Sequence, residues 1–164
     1  MKYIAAEGEG AVIEIPEITQ TVAMNYASLH LTVPSVEIQK FMGPGIQEVY
    51  AAVAAQDVPT SGPWFTHHFK RPDAFFDFEI CVPVDEPIVA AGRVEPGVWP
   101  SMRVARTVYH GGYAGLGAAW GEFETWIAAQ GLDEAKDLWE RYLINPDSNK
   151  NPAEWRTELN RPLR

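Results

Sequence analysis

The chain has 164 residues, of which 46% are hydrophobic and 21% charged, and it carries a formal net charge of -9. This composition is typical of one soluble globular domain and argues against a disordered chain. Negative charge without a dense Lys/Arg cluster argues against direct nucleic-acid binding. No apolar run reaches the roughly 20 residues of a membrane helix, and the N-terminus lacks the apolar core of a signal peptide. We therefore expect a cytoplasmic protein with neither membrane nor nucleic acid as a partner.

The first half of the chain predicts the order β-α-β-β. Residues 1–18 show little pattern beyond an edge strand or packed arm around Val12 to Ile15. A strand is predicted over residues 19–31, where Val22, Met24 and Tyr26 alternate with smaller or polar side chains. A turn at residues 43–45 and apolar positions at helical spacing predict an amphipathic helix over residues 44–56. Strands follow at residues 64–69 and 75–84, joined by a turn at 71–73.

The second half repeats this order, with a strand at residues 101–109, a turn at 110–112, a helix at 114–130 and strands at 138–144 and 154–159. The two halves align at a constant offset of 74 residues (128 − 54). This alignment matches Trp120 with Ile46, the triplet 128–130 with the identical triplet 54–56, and the turn at 145–147 with that at 71–73. We predict an α+β fold of duplicated β-α-β-β units, repeat 1 over about 19–84 and repeat 2 over about 98–163. A pseudo-twofold axis would relate the two, with a ligand cleft between them.

One carboxylate, Glu140, stands alone in the strand-like run at 138–144, among apolar and aromatic neighbours. On a strand it shares a face with Leu138 and Tyr142. Burying an unpaired carboxylate is costly, so either an arginine (Arg106 or Arg141) or a tyrosine such as Tyr142 satisfies it internally, or it awaits a ligand. The alignment of the repeats puts Thr66 at its position in the first half, and His68 at that of Tyr142. The acid is thus present in one half only, which favours a ligand role.

Several soft or aromatic side chains are further candidates for lining a pocket, with ordinary core packing as the alternative for each. On the first strand we expect Met24 and Tyr26 to alternate inward. The remaining candidates lie at the helix entry, on the strands or in the glycine-rich turn: Phe41, Met42, Trp64, Thr66, His68, Tyr109, Tyr113 and Tyr142. The stripe of Trp120, Phe123 and Ile127 on the second helix is instead predicted to be core.

Other kinds of site find little support. His67 and His68 are adjacent on a strand, where they point to opposite faces, so they do not predict a metal site. The chain has no Gly-x-Ser-x-Gly element, no phosphate loop and no dinucleotide fingerprint. We predict no cofactor.

The second half also carries a family resemblance. Its most specific motifs are residues 109–116 (YHGGYAGL), 139–142 (WERY), 145–147 (NPD), 153–159 (AEWRTEL) and 161–163 (RPL). Together they closely resemble the GyrI-like small-molecule-binding domains, which are related to the effector-binding domains of AraC- and MerR-type transcription activators. The resemblance extends over nearly the whole chain from about Thr19.

The resemblance implies an SHS2-like duplicated fold with a cleft between the halves. It also implies that Glu140 is the pocket acid, which meets cationic or polar groups of lipophilic ligands between aromatic walls. In the transcription activators a DNA-binding segment precedes this domain. Because only some eighteen unpatterned residues precede it here, we expect a stand-alone version without a DNA-binding domain.

Three functions are compatible with these observations. The first is a module that senses or sequesters lipophilic, cationic small molecules, including several different drugs. The second is a hydrolase for strained electrophiles such as cyclopropane-bearing DNA-alkylating antibiotics, in which Glu140 activates water and Tyr142 or Tyr109 polarises the leaving oxygen. The third is a protein partner of gyrase whose acidic surface mimics nucleic acid, which ranks lower because the charge is spread along the chain.

Overall fold

The computed structural model describes residues 3–5 and 12–164. Within them the chain forms ten strands and two α-helices, the predicted α+β class. In chain order these are β1 (Tyr3–Ala5), β2 (Val12–Glu14), β3 (Glu17–Gln20), β4 (Met24–Pro34), α1 (Ile38–Ala55), β5 (Phe65–His68), β6 (Phe75–Val84), β7 (Val94–Trp99), β8 (Arg103–His110), α2 (Leu116–Ala129), β9 (Leu138–Ile144) and β10 (Arg156–Pro162). Short 3-10 helices at Ser35–Glu37, Tyr113–Gly115 and Pro152–Glu154 precede α1, α2 and β10.

These elements fall into two compact units. The C-terminal unit contains the described residues up to Gln20 together with residues 103–135 and 140–164. The central unit contains residues 21–102 and 136–139, so the first two residues of β9 belong to it. None of the helices in the described ranges is long and apolar enough to span a lipid bilayer.

In the central unit, β5, β6, β4 and β7 lie side by side in that order and are antiparallel. Alternate residues of β4 pair with alternate residues of β6, for example Leu29 with Ile80 and Leu31 with Phe78. These side chains are buried and form a core with Val49 of α1. The opposite side of the same strands therefore carries the intervening residues.

In the C-terminal unit, the strand order is β1-β2-β8-β10-β9, and β3 also pairs with β8. Helix α2 contacts β2 and β8. The predicted apolar stripe of α2 is buried as expected, together with residues of the strands: Ile13, Val104, Trp120, Phe123, Ile127 and Leu159.

The first helix begins earlier than predicted. It starts at Ile38, so residues 43–45 lie inside it and do not form a turn. Pro44 has no main-chain N–H to donate within the helix, and for this reason the sequence pattern predicted a break there. Gly45 is accepted because the helix approaches the sheet closely there: a Cβ added to it would lie 2.7 Å from Ile80 Cδ1. Tertiary packing thus overrides local propensity.

Two strand predictions in the first half also need correction. The strand expected over 19–31 is divided, because β3 ends at Gln20 and β4 begins at Met24. Between them Val22 is exposed, and Thr21 N donates to Met102 O at 2.8 Å. Strand β7 was not predicted, since Pro96 and Gly97 interrupt its pattern. It ends the strand order of its unit, the kind of position where a sheet tolerates proline.

The order β-α-β-β occurs twice, as β4-α1-β5-β6 and as β8-α2-β9-β10. Duplication itself stays a prediction from the sequence alignment. Other predicted elements agree with the structure to within a few residues, and β6 and β9 have the predicted bounds. The edge strand or arm predicted around residues 12–15 corresponds to β2, which lies between β1 and β8 and so is not at an edge. Residues 1, 2 and 6–11 lie outside the described residues.

Candidate ligand-binding site

Glu140 is buried in β9, with 7% of its surface exposed. Its two carboxylate oxygens accept hydrogen bonds from different elements of the C-terminal unit. Trp120 Nε1 of α2 donates to Oε2 at 2.7 Å, and the Tyr142 hydroxyl donates to Oε1 at 2.7 Å. Both donors are neutral, so they orient the carboxylate without neutralising its charge.

The two arginines that the sequence offers as partners of Glu140 both turn to Glu158. Arg141 Nη1 lies 3.2 Å from Glu158 Oε1, and Arg106 Nε lies 3.4 Å from the same oxygen. Arg141 is the next residue after Glu140, and strand alternation directs it to the other side of β9. Within the described part of the chain, no Lys, Arg or His forms an ion pair with Glu140.

Two further aromatic residues lie beside Glu140 and Tyr142. Tyr113, in the 3-10 helix before α2, meets Tyr142 edge-on at a centroid distance of 5.9 Å. Trp155 packs on Tyr113 at 4.9 Å. Burial raises the pKa of Tyr113 to about 12, with smaller contributions from the charges of Glu140 and Asp147. The Tyr113 phenol is therefore within electrostatic reach of Glu140, and 38% of the residue is exposed.

This arrangement favours a cation. A carboxylate in a low-dielectric surrounding attracts positive charge more strongly than one in water. Aromatic faces add cation-π attraction of about 0.5–2 kcal/mol each. Glu140 thus stands beside aromatic rings, with Tyr142 bonded to it and Tyr113 packed on Tyr142.

Tyr109 has a different environment from the other predicted tyrosines. Its hydroxyl donates to Gly112 O at 2.7 Å, and the residue is buried. The ring packs against Gly111 and Gly115, where any added Cβ would collide with the hydroxyl. Gly111 has a φ of +138°, a conformation that other residues rarely adopt. Tyr109 therefore stabilises the turn before α2, and its hydroxyl proton is donated to Gly112 O.

The predicted residues Thr66 and His68 lie in the central unit. Thr66 Oγ1 and His68 Nε2 are 3.1 Å apart, and both residues are buried. The His68 ring stacks on Phe78 at 5.3 Å, on the side that packs against α1. Met42 and Trp64 also pack on this core, while Phe41 is 38% exposed. Ligand contact by these residues stays a prediction.

Met24 and Tyr26 lie on the side of β4 opposite the core formed with α1, and ligand contact by them stays a prediction. Ala27, Leu29 and the following odd-numbered residues of β4 face the core, which leaves the even-numbered ones on the other side. There Tyr26 packs against Trp99 at 5.9 Å and lies across Gly97 of β7. The neighbouring strand β7, absent from the sequence prediction, provides this surface.

Sequence reasoning missed one participant in the Glu140 site. Trp120 was expected to be core, and it is buried, but its indole N–H also anchors Glu140. A buried tryptophan requires an acceptor, which is the only sequence signal that points to this bond.

His67, considered in the sequence only as a metal ligand, lies between two carboxylates of the central unit, with Nε2 2.8 Å from Asp137 and Nδ1 3.4 Å from Glu79. Burial lowers the pKa of His67, but the bonds and charges of Asp137 and Glu79 outweigh it and raise the pKa overall.

Known proteins of the same fold were compared with this chain. The C-terminal domain of EcmrR is similar with a TM-score of 0.81 and 21% identity, over 92% of this chain and 97% of that domain. In the cryo-EM structure of the EcmrR–DNA complex the TM-score is 0.80 and the identity 22%, and the match covers 91% of this chain. The chain spans 57% of the length of that EcmrR chain.

Two more distant structures share the fold. A hydrolase from Listeria innocua has a TM-score of 0.62 and 16% identity, over 91% of both chains. SAV2435 bound to tetraphenylphosphonium has a TM-score of 0.61 and 11% identity, over 92% of this chain and 94% of that one. No curated protein matches the sequence. The model of the GyrI-like small molecule binding domain matches residues 15–164. The chain therefore belongs to the GyrI-like small molecule binding domain family.

Proposed function

We propose that the C-terminal unit binds lipophilic organic cations, to sense or sequester them, with the charge of Glu140 as the main recognition element. The observation that carries this proposal is a buried carboxylate held by two neutral donors, Trp120 and Tyr142. Desolvating such a charge costs several kcal/mol when no opposite charge accompanies it. A bound cation supplies that opposite charge.

Three further observations support the proposal. The family is one of small-molecule-binding domains. A net charge of -9 enriches cations near the protein surface. SAV2435, of the same fold, is described as bound to tetraphenylphosphonium, a permanent lipophilic cation. This ion is a suitable probe, because it carries no hydrogen-bonding group and reports on charge and aromatic contact alone.

The test is calorimetric titration of tetraphenylphosphonium into the wild-type protein and into Glu140→Gln. The amide keeps the shape of the side chain and an acceptor oxygen but removes the charge. We expect the dissociation constant to rise at least tenfold, equivalent to about 1.4 kcal/mol. The matched control is Glu79→Gln, which removes a carboxylate that is buried to 9% exposure in the central unit. Equal affinity of wild type and Glu140→Gln would overturn the proposal.

Hydrolysis of a strained electrophile at the same carboxylate is the competing proposal, and a hydrolase from Listeria innocua has the same fold. It requires Glu140 to take a proton from water and a tyrosine to polarise the leaving oxygen, but the single hydroxyl proton of Tyr142 is donated to Glu140. The Tyr109 hydroxyl is likewise engaged with Gly112 O. We therefore place binding first. Incubation with a cyclopropane-bearing alkylator, followed by mass spectrometry, distinguishes the two: a Glu140-dependent water adduct would establish hydrolysis.

A further inference from the structure

A buried hydroxyl in the C-terminal unit finds no hydrogen-bond partner among the described residues. Thr157 in β10 is 0% exposed, and its Oγ1 has no hydrogen-bond partner in the described part of the chain. Buried polar side-chain atoms are nearly always hydrogen-bonded, because leaving one unpaired costs free energy. Because the family binds small molecules, we infer that a bound ligand supplies the missing hydrogen-bond partner.

The position of Thr157 on β10 shows which side of the strand it occupies. It lies directly opposite Tyr109 of β8 in the strand register. Leu159 and Arg161 follow at alternate positions and so share its side. Arg161 Nη1 bonds Glu124 Oε2 of α2 at 2.9 Å. Thr157 is thus on the side of β10 that faces α2.

The same reasoning relates Thr157 to Glu140. Strand β9 is the neighbour of β10. On the side away from α2, Glu158 of β10 meets Arg141 of β9. The residues flanking that pair, Thr157 on one strand and Glu140 and Tyr142 on the other, therefore share the α2-facing side. The bond from Trp120 of α2 to Glu140 confirms this orientation for β9.

We propose that Thr157 Oγ1 is a second polar recognition point of the Glu140 site and hydrogen-bonds a hydroxyl group on the bound cation. This inference rests on the proposed function and deepens it by naming the ligand class. A threonine hydroxyl both donates and accepts, which matches a ligand hydroxyl. Glu140 then selects for positive charge, and Thr157 selects hydroxylated cations over purely hydrocarbon ones.

The experiment compares tetraphenylphosphonium with its three monohydroxylated analogues, which carry the hydroxyl at position 2, 3 or 4 of one ring. Dissociation constants are measured by calorimetry for wild type, Thr157→Val and Thr157→Ser. We expect at least one analogue to bind wild type about tenfold more tightly than tetraphenylphosphonium. Thr157→Val should abolish this advantage, whereas Thr157→Ser should retain most of it.

The thermal midpoint of the ligand-free variants gives a second readout. Thr157→Val removes an unpaired polar group at nearly constant shape, so its midpoint should equal or exceed that of wild type. A clearly lower midpoint would show that the hydroxyl is satisfied in the free protein and would overturn the inference.

The binding data separate the two proposals. If no analogue shows an advantage that depends on Thr157, the role of Thr157 is wrong, and Glu140-dependent binding of tetraphenylphosphonium still stands. If wild type binds neither tetraphenylphosphonium nor its analogues, the proposed function falls and the role of Thr157 falls with it.

Discussion

Glu140 and Glu158 are two carboxylates of one unit with the same 7% exposure, on neighbouring strands, yet their surroundings differ in kind. Glu158 has Arg141 and Arg106 within 3.4 Å and accepts a hydrogen bond from Asn160 Nδ2 at 3.0 Å. Glu140 has two neutral donors and no ion pair among the described residues.

Burial alone therefore does not identify a functional acid. The Glu158 charge is compensated within the protein, and it ties β8, β10 and β9 together. The Glu140 charge is oriented but left uncompensated, which is the property that a cation-binding site requires. The following predictions test this contrast.

The largest effect expected is on stability and falls on Glu158. Glu158→Gln leaves two arginines without their charge partner, so we expect the free energy of unfolding to fall by about 2 to 3 kcal/mol. Glu140→Gln should cost less than half as much, because removing an uncompensated buried charge offsets the weaker hydrogen bonds. Urea unfolding at neutral pH measures both. Equal losses would contradict the contrast.

A smaller effect is expected from the donors. Tyr142→Phe removes a hydrogen bond to a carboxylate, and Tyr109→Phe removes one of the same 2.7 Å length to a neutral carbonyl. Because charge-assisted hydrogen bonds are roughly twice as strong, we expect losses of about 2 and about 1 kcal/mol respectively. Urea unfolding of the two variants tests this, and a reversed order would show that Glu140 is not held as a charged acceptor.

His67, which lies between two carboxylates of the central unit, should make the stability of the protein depend on pH. The pKa of His67 is raised in the folded protein by Asp137 and Glu79, so its contribution to stability is fully present below about pH 6.5. It is lost as pH rises through the raised pKa of the folded state. The stability difference between wild type and His67→Gln should therefore shrink from pH 5 towards alkaline pH.

His30→Gln is the control for this series. His30 lies 2.6 Å from Asp77 at the surface, with 58% of its side chain exposed, where ion pairs contribute little. Its stability difference from wild type should be small throughout. Chemical unfolding across the pH range measures both series, and a His67→Gln difference that grows with pH would refute the assignment.

The smallest effect concerns Tyr113. Burial contributes most to the pKa of about 12 of this phenol, and the Glu140 charge contributes less. We therefore expect Glu140→Gln to lower the Tyr113 pKa while leaving it above 10, and Glu158→Gln to leave it unchanged. Titration of ¹³Cζ-labelled tyrosine by NMR follows the resonance directly. An unchanged pKa in Glu140→Gln would separate Tyr113 from the carboxylate.

Much of the fold is accessible from local pattern. Strands β6 and β9 match their predicted bounds, since long runs of strand-forming residues end at turn residues. The start of α1 is not accessible in this way. Pro44 and Gly45 signal a break, and only the close approach of the helix to Ile80 explains the glycine.

The candidate site divides in the same manner. A lone acid at 140, one residue before an arginine and two before a tyrosine, is visible in the sequence and raises the question of its partner. Strand alternation already puts Tyr142 on its side and Arg141 on the other. Nothing local indicates that Trp120, twenty positions away, supplies the second hydrogen bond, or that Arg106 turns to Glu158.

Alternation along a strand and periodicity along a helix depend on residues close in sequence. These patterns were enough to predict the α+β class, most of the elements and Glu140 as a candidate site residue. Whether a buried charge is compensated depends on groups brought together from distant parts of the chain. The folded protein places arginines on Glu158 and neutral donors on Glu140, and it gives the Thr157 hydroxyl no partner among the described residues. Desolvation makes each of these pairings consequential, because a buried polar group has no water to replace a missing partner.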